Sequence, residues 1–134
     1  MRFVALLLFA GAAVAQMQPV ASIGQIMGGM INPNAQAIAK AATEPPADAR
    51  AWRGVAQSAA VLAEAGNLLM MEGRATDQNA WMQDSKALSD AAAAVAKAAA
   101  ASDAAAFNAA AASINETCNT CHAAYRPQRG KKGQ

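Results

Sequence analysis

The sequence predicts an all-α protein, an antiparallel up-down-up-down four-helix bundle with a chemically rich motif at its C-terminal end. Three observations carry this. Alanine, the best helix former, is very abundant. Apolar residues recur at three- and four-residue spacing through four successive stretches, the pattern of amphipathic helices rather than strands. Short runs of Gly, Pro and capping residues separate those stretches, as expected for helices joined by tight connections. The 134 residues suffice for one domain. Aromatics make up only 4% of the chain, so an alanine-rich core is short of bulk, and a bound group is expected to help fill it.

The N-terminus reads as a leader. Met1-Arg2 is followed by an apolar run from Phe3 to Val14, and Ala13-Val14-Ala15 precedes Gln16. A positive start, a short apolar stretch and an A-x-A site make a secretory signal over residues 1–15, leaving a mature domain over 16–134. The run falls short of the ~20 residues that span a bilayer, so no stable membrane insertion is expected after cleavage. No cysteine stands at the cleavage point, which argues against a lipoprotein. Export predicts the periplasm, an oxidising compartment. The formal charge of +2, with no basic stripe interleaved with aromatics, gives no reason to expect nucleic acid.

Helix one is expected from about Pro19 to Ala42, with Val20, Ile23, Met27 and Met30 on one face. Gly28-Gly29 and Asn32-Pro33 interrupt it, which predicts a kink or break near Asn32. Thr43 to Ala47 holds two prolines and reads as a linker. Helix two starts after the N-cap Asp48 and runs to about Met71, with Trp52, Val55, Ala59, Leu62, Gly66 and Leu69 inward. Helix three starts near Asp77, with Trp81, Ser85, Leu88, Ala92, Val95 and Ala99 inward. Ser102-Asp103 is a turn. Helix four carries Phe107, Ala110, Ile114, Thr117 and Cys121 on its seam and ends before Pro127; the residues after it read as a frayed tail. Alanine along the seams predicts close approach of neighbouring helices.

The chemistry concentrates in Cys118-Asn119-Thr120-Cys121-His122, which holds both cysteines and the sole histidine of the chain. Cys-x-x-Cys-His is the attachment site of haem c: two thiols add to the vinyl groups and the histidine ligates iron. A structural zinc site needs about four ligands, and a thioredoxin-type pair needs a βαβ setting; the chain offers neither. At about 100° per residue, Cys118, Cys121 and His122 share one sector of helix four with Phe107, Ile114 and Tyr125. The motif therefore faces inward, near the start of helix one and the turn between helices two and three. One histidine cannot supply two axial ligands. The sixth position is left to Met27 on the inward face of helix one, to Met30 as second choice, or to no protein group. Thioethers also serve as core filler.

Cys118-x-x-Cys121-His122-x-x-Tyr125-Arg126, at the end of a four-helix chain, resembles the class II c-type cytochromes, the cytochrome c′ and cytochrome c-556 group. The resemblance implies one covalent haem c, with Cys118 and Cys121 as thioether links and His122 as the proximal ligand. It also implies a basic residue beside the proximal imidazole at Arg126, which by helical period lies at the edge of the haem sector within reach of a propionate. A helix-one residue over the distal face falls in the Met27–Met30 region, a methionine ligand in the c-556 members and commonly a non-ligating apolar residue in cytochromes c′. Such bundles often form homodimers.

The expected function is electron transfer with redox partner proteins, without catalytic turnover, since no acid–base pair or nucleophile stands out. The alternative is binding or buffering of small gases, NO or CO, at a five-coordinate haem.

Overall fold

The computed structural model describes residues 17–126, and the expected leader over residues 1–15 lies outside the described residues. Among these there are four helical elements and no strand. The first, α1, is composite: an α-helical turn Ile23–Ile26, a π-helical segment Met27–Ile31 and an α-helix Asn32–Thr43. The others are α2, Ala49–Leu69, α3, Ala80–Ala100, and α4, Ala104–Tyr125.

Local chemistry sets the boundaries. α1 begins at Ile23 rather than near Pro19 because Ser22 and Gln25 form a capping box. Ser22 Oγ accepts from the Gln25 amide at 3.2 Å, and Gln25 Oε1 accepts from the Ser22 amide at 2.9 Å. Asp48 caps α2 by accepting from the Ala51 amide, and Asp103 caps α4 by accepting from the Ala106 amide. α3 ends in a Schellman arrangement: Asp103 N–H reaches Ala98 O and Ser102 N–H reaches Ala99 O, each at 3.0 Å. Ser102 takes the left-handed position there, φ 53°.

The kink expected near Asn32 takes the form of the π-helical segment. Asn32 N–H donates five residues back, to Met27 O. Pro33, the next residue, has no N–H to donate, and it sits in the first turn of the following α-helix, where none is needed. The Asn34 side-chain amide donates to Met30 O at 2.7 Å and so satisfies a carbonyl of the widened turn. One extra residue is absorbed without breaking the helix.

The wide turn also changes which residues of α1 are buried. The core-facing residues are Ile26, Ile31 and Ile38. Ile26 and Ile31 are five apart, the π spacing. Val20, expected inward, is 94% exposed and lies before the helix, while Ile23, Met27 and Met30 are half-buried against the core.

The seams of α2, α3 and α4 lie close to expectation. Trp52, Ala59, Leu62, Gly66 and Leu69 are buried on α2, with Val55 half-buried; on α3, Trp81, Ser85, Leu88, Ala92, Val95 and Ala99 are all buried. On α4, Phe107, Ile114 and Cys121 are buried, and Ala110 and Thr117 are half-buried. Small residues do bring helices together. A Cβ added at Gly66 would stand 2.9 Å from Ser85 O. Trp52 and Phe107 meet edge to face at 5.4 Å and supply bulk distant in sequence from the Cys-x-x-Cys-His turn.

Candidate haem site

α4 runs unbroken through the motif although Thr117 to His122 are weak helix formers; its buried seam, Ile114 and Cys121, packs on the core, and Cys118, Cys121 and His122 present themselves at helical spacing on its last two turns. Cys121 is buried; Cys118, His122 and Tyr125 are half-buried; Arg126 caps the helix and is exposed. Both thiols are free.

A cavity of about 560 Å³ opens beside them, walled by Ile23, Gly24 and Met27 of α1, Thr76 and Trp81 around the start of α3, and Cys121, His122, Tyr125 and Arg126. A second, inner cavity of about 20 Å³ lies behind it. Met27, Cys121 and His122 border both cavities, and Cys118, Thr117, Asp84, Ser85 and Leu88 border the inner one. The start of α1, the start of α3 and the end of α4 thus meet at one place.

Met27 is the methionine on the cavity wall. Met30, half-buried against the core as Met27 is, does not line it. Gly28 and Gly29 have open space where a Cβ would stand.

Sequence reasoning missed three supports of this wall. Tyr125 Oη donates to Asp77 Oδ2, and Asp77 Oδ1 accepts from the Asn79 amide at 2.8 Å and the Trp81 amide at 3.2 Å. One carboxylate therefore starts α3 and holds the last turn of α4. Trp81 stacks edge-on against Tyr125 at 5.0 Å, and its indole N–H donates to Leu69 O at 2.8 Å. Arg74, only 8% exposed, bonds Ala21 O through Nε and Nη2 at 3.2 and 3.0 Å, and Leu68 O through Nη1 at 2.6 Å. It fixes the residue before the α1 capping box to the end of α2. The basic residue and the short Glu72–Thr76 break were the available signals; the carbonyl partners were not readable from sequence.

The electrostatics suit a neutral, enclosed site. Burial pushes the Cys118 thiol up; burial, then the Asp84 carboxylate and Cys118, push up Cys121. The hydrogen bond to Asp77, ahead of burial, pushes Tyr125 up to about 12, and the same bond, with the Asn79 amide next, holds Asp77 below its usual range.

Among the described residues no group of three His, Cys, Asp or Glu side chains is arranged to hold a bare metal ion. The donor set fits a metal carried in a macrocycle instead: two thiols and one imidazole on consecutive turns, an apolar wall, and a volume in the range of small-molecule sites.

The family model described as Cytochrome C′ matches residues 12–126, and the chain belongs to that family. Its members carry a covalently attached c-type haem, which is the cofactor of this protein. The comparisons with curated proteins and with solved structures give no match. No helix among the described residues is long and apolar enough to cross a membrane.

Proposed function

We propose that this cytochrome c′-family chain is an exported monohaem electron carrier of the periplasm. In this reading residues 1–15 are removed, and residues 16–134 form an antiparallel bundle. The haem is held by thioether bonds from Cys118 and Cys121, with His122 and Met27 as axial ligands. The observation that carries this is the shared wall: Met27 from α1 and His122 from α4 border the same cavities, together with Cys121. When bound, the haem supplies a one-electron couple, and methionine opposite histidine favours its reduced form.

The residues of the chain do the rest. Cys118 and Cys121 fix the cofactor covalently. His122 is oriented by its place on an unbroken helix. Trp81 and Tyr125 exclude water from the wall, and Arg126 at the mouth is the cation for a haem carboxylate. The chain performs no catalytic turnover of its own and exchanges electrons with redox partner proteins. Homodimer formation, common in the family, is compatible with this role.

A second reading is favoured by the surroundings of Met27. It is half-buried and followed by two glycines in open space, a setting in which the side chain leaves the iron position at low cost. The haem would then bind NO or CO at a vacant sixth site. Carbon monoxide separates the two. The electron-carrier reading expects the native reduced protein to refuse it and Met27→Ala to bind it; rapid binding by the native protein contradicts that reading.

A further inference from the structure

The wide turn of α1 governs which side chain faces the cavity. Ile26 and Ile31, five residues apart, both seat in the core, while Ile23 and Met27, one α-turn apart, line the cavity. An α-helix repeats every 3.6 residues. An uninterrupted one running back from Ile31 therefore brings Met27, four residues away, to the core seat that Ile26 holds. Everything before the turn then rotates by one position, about 100°. Gly24 and Gly28 take the places of Ile23 and Met27, and the wall loses both side chains. The chain thus offers the cavity a methionine in the wide register and a glycine in the regular one.

Two residues select the wide register. In a regular helix the ring of Pro33 clashes with the carbonyl four residues back, that of Gly29. The five-residue turn instead leaves Pro33 in the first turn of the segment Asn32–Thr43. Asn34 Nδ2 donates to Met30 O at 2.7 Å, a side-chain bond to the carbonyl four residues back, of the kind that bends helices. Neither Pro33 nor Asn34 lines the cavities that Met27 borders. We propose that Pro33 and Asn34 are positioning residues for the sixth haem ligand: by holding the π-helical turn they aim Met27, and not Gly28, into the haem site. The role of Met27 as ligand rests on the reading given above; the register does not.

The test uses haem-loaded protein, read by crystal structure and by the ferric spin state. Pro33→Ala/Asn34→Ala frees the regular register. Residues 23–30 are expected to turn by one position, with Met27 in the core and the ferric haem changed from low-spin to high-spin. Deleting Gly29 in the same variant makes Ile26 and Ile31 four residues apart, so that a regular helix seats both. Met27 is then expected back on the wall, and the low-spin signal with it. Removing a further residue would not repair a mere loss of packing. A two-change variant that keeps the π-helical turn and Met27 on the wall overturns the proposal, as does a three-change variant with Met27 in the core. Where the two-change variant does not fold, the three-change variant decides by the same criterion. A native protein that is high-spin overturns the ligand reading, while the position of Met27 in the crystal structures still upholds or overturns the register.

Discussion

Tyr125 Oη donates to Asp77 Oδ2, joining the last turn of the motif helix to the residue whose other oxygen starts α3. Both edges of the candidate haem cavity are thereby held by one carboxylate. Tyr125 is held neutral up to about 12, above the ordinary tyrosine value of ~10. A group whose folded pKa is raised contributes stability that is complete below its unfolded pKa and lost as pH rises through the folded one. Stability is therefore expected to fall between about pH 10 and 12. Asp77 is lowered, so its share is lost at the acid end, below its ordinary value. Ultraviolet titration of the tyrosine, the only one in the chain, checks the first, and Tyr125→Phe is expected to abolish the alkaline loss and to lower the thermal midpoint at neutral pH.

Arg74 is a buried cation that donates to the backbone carbonyls of Ala21 and Leu68 and to the Met71 thioether. Removing it leaves those carbonyls without their charged donor. Arg74→Ala is expected to cost about 1.5–3 kcal/mol in denaturant unfolding, the range for hydrogen bonds to charged groups. Arg74→Lys is expected to recover only part, since an ammonium lacks the planar fork that reaches two carbonyls. Because Ala21 precedes the α1 cap, the variant is also expected to loosen the wall that carries Met27, read as a mixture of haem spin states.

Gly66 lets α2 and α3 touch. A Cβ there meets Ser85 O at 2.9 Å and the Ser89 backbone nitrogen at 3.0 Å, and backbone atoms cannot swing aside. Gly66→Ala gains helix propensity of under ~1 kcal/mol and loses more to overpacking, about 1–3 kcal/mol. A net loss of thermal stability is expected. Gly54, on the same helix with open space at its Cβ position, is the control: Gly54→Ala is expected to stabilise.

Much of this architecture is legible in the chain. The seams of α2, α3 and α4 follow from three-four spacing, their starts from Asp48 and Asp103, and the inward motif from the helical period of Cys118, Cys121 and His122. α1 is harder because its period is not uniform. Pro33 removes a donor, the helix widens by one residue over Met27–Ile31, and burial moves to Ile26 and Ile31. A search at constant spacing picks out Val20 instead, which is exposed. The supports of the site are illegible for another reason. Arg74–Ala21 and Tyr125–Asp77 are contacts between residues distant in sequence, and no local pattern encodes them.

The central claim is that Met27 and His122 take the two axial positions of a covalent haem. Electron paramagnetic resonance of the purified ferric protein at neutral pH, with its optical spectrum, tests this most directly. A six-coordinate low-spin signal with a methionine–iron charge-transfer band, lost in Met27→Ala, is the predicted result. A five-coordinate high-spin signal in the native protein would contradict it.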